Sequence, residues 1–255
     1  MLPNSLIIGS TKIKLDAIGS TNDFIRDLLT KEEEVIEGTV VIAENQHGGR
    51  GQRGNNWISE PGKNLTFSFV LYPKFLAPSD QFDLSKAISM AIVKYLQEVL
   101  PVNMSAVRVK WPNDIYVGEK KICGILIENA VSGSNIQHSV VGIGLNVNQE
   151  QFDADLPNPT SMKMITGDSR EVDEILNELC GYLDAAYIDG KHNQFRNVNS
   201  IYEECLYLYG ETKGYIMNGE AMKASIQGVD EAGKLILKME SGEIVHADFK
   251  EVSYC

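Results

Sequence analysis

Residues 46–57 read QHGGRGQRGNNW, and what this stretch can and cannot be decides the fold. Gly49 to Gly54 spell GxGxxG, the pattern by which a strand turns into a helix around a dinucleotide pyrophosphate. That reading needs a helix immediately afterwards, whereas NNWISEPG (55–62) breaks any helix before the next apolar run. Nor does an acidic residue close a second strand about twenty residues later, as the fingerprint requires. The doubly wound dinucleotide fold is rejected, and with no GxxxxGK[ST] in the chain the P-loop is rejected too. There remains a flexible loop between strands, whose glycines let backbone approach a ligand and which carries Arg50, Arg53 and Trp57.

On either side of the loop the apolar spacing alternates between strand and helix. Residues 5–18 hold short apolar runs that predict two strands. Ser20 then starts a helix as its cap, Asp23 completes a capping box, and Phe24, Ile25, Leu28 and Leu29 form the apolar face. GTVVIAE (38–44) and NLTFSFVLY (64–72) are strand-like. From Pro78 a long helix carries Leu84, Ala87, Ile88, Ala91, Tyr95 and Val99 at helical spacing. AVRVK (106–110), DIYV (114–117), KKICGILIENAV (120–131) and HSVVGIGLNV (138–147) predict four more strands. A loop follows over 148–169, then helices over 170–188 and 194–208. Beyond residue 213 only short strands and turns occur, among them Asn218-Gly219, the strongest short hairpin signal. The tail reads as a small β-barrel, which sets a boundary near 209 between a mixed α/β domain (1–208) and a C-terminal β-domain (209–255).

The 255 residues carry a net charge of −12, which repels nucleic acid unless a local basic face intervenes. Two segments run against this background: 45–57, with Arg50, Arg53 and no carboxylate, and 106–124, with Arg108, Lys110, Lys120 and Lys121 against Asp114 and Glu119. No apolar run is long enough for a membrane helix, and the first residues lack the basic start of a signal peptide. Cys123, Cys180, Cys205 and Cys255 are dispersed without metal-ligand spacing, and read as reduced thiols of a cytoplasmic protein.

In RVKWPND (108–114), Pro112 takes Trp111 out of helical geometry and ends the strand that carries Lys110. A lysine in an apolar strand is costly unless its ammonium meets an anion or a carbonyl. Two readings stand: an edge lysine paired with Asp114, or a cation that meets a bound anion. Lys121, just after the turn at 118–119, returns to the same sheet end. Two ammonium groups near one another call for a negative partner such as a nucleotide.

The glycine-rich loop, KWPND, KICGILIE (121–128) and VGIGLNVN (141–148) occur in an order and spacing that resemble the biotin–protein ligases. The resemblance runs from Ser20-Thr21-Asn22 through Asn146 and more weakly to the C-terminus. It implies an α+β fold: a mixed sheet with flanking helices like that of class II aminoacyl-tRNA synthetases, plus a small SH3-like β-barrel. The implied activity is ATP-dependent: biotin becomes biotinyl-5′-AMP with Mg²⁺ assistance, then passes to a lysine of a biotin carboxyl carrier protein. The same resemblance implies site roles. Ser20, Thr21, Asn22 and Gln46 meet biotin, with Gly51, Gln52 and the backbone near Arg50. Lys121 and Arg50 address the carboxylate and α-phosphate. Lys110, Asn146 and Trp57 hold the nucleotide, Gly124 lets backbone approach the ligand, and Asp114 positions or deprotonates the acceptor amine. Lys110, Lys121, Arg50 and Asp114 are thus the expected catalytic set, with the metal ligands left open.

The sequence departs from this pattern where Gln52 and Asn55 replace arginines common in the loop. Bifunctional relatives carry a winged helix–turn–helix before this core, and Ser20 lies too near the start for one, so DNA is not an expected partner. The expected chain is a soluble monomer or homodimer. The rival readings are a lipoate–protein ligase of related fold and a non-catalytic biotin-dependent regulator.

Overall fold

The computed structural model describes residues 7–31, 34–193, 195, 198–249 and 251–254. Its larger sheet has seven strands: β1 (Lys12–Ile18), β2 (Val40–Gln46), β3 (Leu65–Leu71), β4 (Val107–Lys110), β5 (Asp114–Val117), β6 (Lys120–Ser132) and β7 (Asn135–Leu145). They lie in the order β1-β2-β3-β7-β6-β5-β4. β1 and β2 pair in parallel and the other neighbours antiparallel, so the sheet is mixed. The helices are α1 (Thr21–Thr30), α2 (Gln81–Val99), α3 (Met162–Thr166), α4 (Val172–Asn193) and α5 (Val198–Glu204).

Successive strand residues face opposite sides, and here the two sides differ in kind. Leu65, Phe67, Phe69 and Leu71 of β3 join Val141, Ile143 and Leu145 of β7 in the main core, with residues of α2 and α4. On the other side Ile25 of α1 packs on Val41, Val70 and Val140, a smaller cluster. Burying each such side chain contributes about 1.5–3 kcal/mol. α1 covers only one end of this second face. Past its N-terminus the alternation continues as Thr66 and Ser68 on β3, Gly142 and Gly144 on β7, and Gly124 on β6. With small residues here and Leu126 alone adding apolar bulk beside them, that end of the face forms a cleft.

The C-terminal sheet comprises β8 (Thr212–Met217), β9 (Glu220–Val229), β10 (Leu235–Met239), β11 (Ile244–Ala247) and β12 (Val252–Tyr254), in the order β11-β10-β9-β8-β12. The hairpin turn expected at Asn218-Gly219 is present, both residues at positive φ. Among the described residues β11 and β12, the two edges, do not pair with each other. This sheet shares a core with the larger one: Tyr215, Leu235 and Leu237 lie in the same apolar cluster as Phe67. Trp111 ties the two together, its indole N–H donating to the Gly233 carbonyl at 2.9 Å and its ring standing edge-on to Phe249 at 5.6 Å.

Three expectations change in detail. Over 5–18 one strand forms, β1, with residues 1–6 outside the described set. The 148–169 loop contains the short helix α3, capped by Ser161. The Ser20 hydroxyl does accept the Asp23 N–H, at 3.4 Å, but the Asp23 carboxylate turns outward to Arg26 and Arg50, so the capping box is not reciprocal. Cys123, Cys180 and Cys205 are free and buried; Cys255 lies outside the described residues.

Trp111→Phe keeps the ring packing and leaves the Gly233 carbonyl without its donor. We expect a loss of about 0.5–1.5 kcal/mol in urea unfolding, the net worth of one partly buried hydrogen bond. An unchanged unfolding midpoint would show that this bond does not hold the two sheets together.

Candidate active site

The cleft has a volume of about 430 Å³. Chain segments far apart in sequence meet there because of strand order. β1 and β2 run in parallel with Ile18 opposite Gln46, which puts Gln46 beside the α1 N-terminus that follows β1. Its Oε1 accepts the Thr21 N–H at 2.9 Å and the Thr21 hydroxyl lies 3.1 Å away. Thr21 and Ser68 hydroxyls are 2.6 Å apart, Ser68 donates to Asn22 Oδ1 at 2.6 Å, and Asn22 Nδ2 donates to Glu128 at 2.8 Å. Glu128 in turn holds Arg50 at 2.8 and 3.0 Å. Ser20, Thr21, Asn22 and Ser68 are all buried, so the Thr21–Ser68–Asn22 part of this chain is shielded from bulk water, while Glu128 and Arg50 are partly exposed; together the bonds fix the side chains at one cleft end.

The floor is glycine by necessity. Gly124 stands opposite Gly144 in the β6–β7 register. The Trp57 indole lies on both: a Cβ on Gly144 would come within 2.3 Å of its ring and one on Gly124 within 2.9 Å. A Cβ on Gly142 would come within 2.3 Å of Asn22 Oδ1. Trp57 Nε1 and Gln52 Oε1 are buried without a hydrogen-bond partner. The 46–57 segment, expected as a flexible loop, has local structure of its own. Arg50 bridges to Asn56, Trp57 N–H donates to Gly49 O at 2.9 Å, and Gln52–Gly54 make a 3₁₀ turn. The Arg53 side chain lies outside what is described.

At the other end β4 and β5 pair Lys110 with Asp114 across the turn made by Trp111, Pro112 and Asn113. Asp114, however, pairs with Lys121, at 2.7 Å, and not with Lys110. The Lys110 ammonium lies between two tyrosine rings, 4.9 Å from Tyr116 and 4.6 Å from Tyr254, and donates to the Tyr116 hydroxyl at 3.2 Å. Burial holds its pKa below the ordinary lysine value; Asp114 opposes that shift and Lys121 adds to it. The Pro157–Ser161 segment is bolted to this end: Lys121 N–H donates to Asn158 O, and Thr160 N–H to Lys121 O.

Of the residues expected from sequence, Ser20, Thr21, Asn22, Gln46, Arg50, Gly51, Gln52, Trp57, Lys110, Asp114, Lys121 and Gly124 all line the cleft. Asn146 does not. It is buried just behind, donating to Thr160 O at 2.9 Å, with its Oδ1 unpartnered. Sequence reading missed Thr66, Ser68, Gly142, Gly144, Asn113, Pro157 and Tyr254, which also line it, and Glu128 and Asp23, which hold Arg50. The glycines were within VGIGLNV; what would have marked them is their alternation, Gly142 and Gly144 sharing one strand face.

The lining carries Arg50, Lys110 and Lys121; Asp114 holds Lys121, Asp23 and Glu128 hold Arg50 from beside the lining, and among the described residues Lys110 is the cation with no carboxylate within ion-pair distance. In a chain of net charge −12, the unneutralised Lys110 ammonium is the charge in this cleft that attracts an anion. The glycine floor lets the flat Trp57 indole lie close to the backbone.

Residues 15–146, just over half of the chain, match the biotin/lipoate A/B protein ligase family. The chain belongs to that family. The bifunctional ligase/repressor BirA of Bacillus subtilis is 27% identical over 251 residues, covering 96% of this chain and 75% of that protein. The biotin–[acetyl-CoA-carboxylase] ligase of Mycobacterium tuberculosis is 26% identical over 252 residues, covering 93% and 91%. The solved structure of the biotin protein ligase from Aquifex aeolicus in complex with biotin and ATP superposes with a TM-score of 0.78 at 27% identity, covering 96% of this chain and 98% of that one. The family shares the mixed α+β architecture, with a large mixed sheet and flanking helices.

Lys110 gives this family member a pH-dependent stability. Because its pKa is depressed in the folded state, folding opposes its charge at pH values below that depressed pKa. The penalty fades as pH rises through it and is gone above the unfolded lysine value, about 10.4. Lys110→Met keeps the stem and removes the charge. It is expected to melt at higher temperature than the wild type at pH 7, with the difference shrinking toward pH 10. A Met variant less stable at pH 7 would mean that the tyrosine cage and Asp114 together outweigh burial.

Proposed function

We propose that this chain is an ATP-dependent biotin–protein ligase. It activates biotin to biotinyl-5′-AMP with release of pyrophosphate, then transfers biotin to a lysine of a biotin carboxyl carrier protein. One observation carries the reading: a cleft with three cations over a glycine floor, in a chain that matches, along nearly its whole length, a ligase solved with biotin and ATP. The lipoate ligase is the rival that the first test separates.

In the first half-reaction a biotin carboxylate oxygen attacks the α-phosphorus of ATP, the bond to the β-phosphate oxygen breaks, and pyrophosphate leaves. Two anions must approach, so the reaction needs cations aimed at the developing charge. Lys121 and Arg50 take that role, and Lys110 and Trp57 hold the nucleotide. In the resting site Arg50 is occupied by Asp23 and Glu128, and Lys121 by Asp114; a bound carboxylate or phosphate replaces or shares these partners. Ser20, Thr21, Asn22 and Gln46 meet the biotin head group, with Gly51, Gln52 and Gly124 beside it. Asn146, set behind the cleft, contributes through the segment at Thr160 that it anchors.

Mg²⁺, which would neutralise phosphate charge, fits as a passenger on the nucleotide. The cleft lining offers it one carboxylate, Asp114, and magnesium is commonly held by one or two carboxylates plus substrate phosphates. In the second half-reaction the neutral acceptor amine attacks the mixed-anhydride carbonyl and AMP departs, with Asp114 positioned to orient or deprotonate the amine. Trp57 and its loop exclude water from the anhydride.

For the finer architecture we infer a core like that of class II aminoacyl-tRNA synthetases and a C-terminal unit from about residue 209 with an SH3-like course. The change from mixed α/β to short antiparallel strands supports that boundary. A cytoplasmic location fits three free, buried cysteines.

Pyrophosphate exchange with biotin and lipoate in parallel tests the activity: exchange with lipoate but not biotin overturns it. Lys121→Ala and Arg50→Ala are each expected to slow the biotin-dependent exchange by about 10²–10³-fold, and near-normal rates in both would remove these cations from the chemistry.

Gln52 stands where many family loops carry arginine, and its Oε1 is buried without a partner. An amide makes weaker bonds to an anion than a guanidinium, so the wild-type loop is expected to release the adenylate readily. Gln52→Arg should slow adenylate dissociation, read by chasing labelled adenylate from the enzyme. An unchanged off-rate would mean that position 52 does not face the ligand.

A further inference from the structure

We propose that Tyr254, the next-to-last residue, is a positioning residue for adenylation: its ring and that of Tyr116 cage the Lys110 ammonium and hold it at the cleft. The inference deepens the ligase reading and rests on it.

The geometry is that of a two-walled cation–π cage. Lys110 projects from the end of β4, with its Nζ 4.6 Å from the Tyr254 centroid and 4.9 Å from that of Tyr116, both inside the range in which a ring face attracts a cation. Tyr116 adds a hydrogen bond through its hydroxyl. The two walls come from different sheets. Tyr116 is on β5, the neighbour of β4, whereas Tyr254 is on β12 at the edge of the C-terminal sheet. Tyr254 is held in turn by rings: Tyr215, its register partner on β8, at 5.5 Å, and Tyr207 at 6.4 Å, which also lies 5.4 Å from Tyr116. Lys110 and Tyr254 both line the cleft.

Lysine needs such walls here. Its long stem has many rotamers, its ammonium is repelled by Lys121, and Asp114 is engaged by Lys121. The rings leave the ammonium's charge unneutralised for a ligand, which a carboxylate partner would not. The Tyr254 hydroxyl is buried and makes no hydrogen bond, so the ring and not the phenol serves. That gives the proposal a sharp variant pair. Tyr254→Phe keeps the ring; Tyr254→Leu keeps apolar bulk and removes the π face.

The experiment measures biotin-dependent pyrophosphate exchange at varied ATP and biotin in both variants, with NMR of the Lys110 ε-methylene in each. Tyr254→Phe is expected to exchange within about twofold of wild type. Tyr254→Leu is expected to lose about 5- to 30-fold in kcat/KM for ATP with the KM for biotin unchanged, the scale of one partly desolvated cation–π contact. The upfield ring-current shift of the Lys110 signal should persist in Phe and collapse in Leu. Equal exchange rates for Phe and Leu overturn the proposal. So does a Leu variant that loses biotin and ATP parameters alike, because that outcome marks a merely structural edge strand. If the wild type shows no biotin-dependent exchange, the ligase reading fails, and the NMR arm still decides the cage: an unshifted Lys110 signal in the wild type ends it.

Discussion

The pairing of β6 with β7 in the register that sets Gly124 opposite Gly144 is the constraint on which the rest of the site depends. A sheet face normally carries side chains at every second residue. Here that face is stripped to hydrogen at Gly142 and Gly144 on β7 and at Gly124 on β6, and carries hydroxyls, Thr66 and Ser68, on β3. A shift of one residue would carry Ile143 and Ile125 to the cleft and the glycines into the core. The core therefore enforces the cleft: Ile143, Ile125 and Phe67 are buried on the reverse side, and their burial fixes which residues form the floor.

Over that floor the three cations are each restrained by a different device. Arg50 has two carboxylates, Lys121 has one, and Lys110 has two aromatic rings. The devices differ in what they leave available. A carboxylate partner neutralises its cation and competes with an incoming anion; an aromatic partner orients the charge and does not cancel it. The site accordingly grades from one end, where polar bonds from Gln46 to Glu128 are largely closed, to another, where Lys110 keeps unneutralised charge. That gradient suits the proposed ligands, with a neutral polar head at one end and phosphates at the other.

Much of this was legible in the sequence where the determinant is local. Strand β5 falls on DIYV (114–117), Ser20 caps α1, and the Asn218-Gly219 turn closes its hairpin. Rejecting a helix after Gly54 was sound because Pro61 and Gly62 are local breakers, and Leu65–Leu71 is the next element. What escaped is long-range. Nothing near Ser68 says that it bonds Asn22, nor does KICGILIE reveal that Glu128 holds Arg50, seventy-eight residues away in sequence. Strand β12 has three residues, too few for any periodicity to register, and Pro157–Ser161 looks like loop because its order comes from Lys121 and Asn146. The Lys110–Asp114 pair was reasonable from register alone; it yields to Lys121 because a third group shares the carboxylate.

The coupling of the two sheets follows from the same geometry. The turn that separates Lys110 from Asp114 places Trp111 with its N–H on Gly233 and its ring on Phe249, so the KWPND segment faces the cleft with its charged residues and the C-terminal sheet with its indole. The tail then returns through Phe249, Val252, Ser253 and Tyr254 to the cleft wall. One short segment thus carries both the Lys110 charge and the fastening of the sheet that walls it. The C-terminal sheet and Lys110 share a fastening, Trp111 on Gly233 and Phe249 and Tyr254 on Lys110. In this family member the C-terminal sheet is consequently a wall of the site, continuous with the catalytic core through a shared apolar cluster.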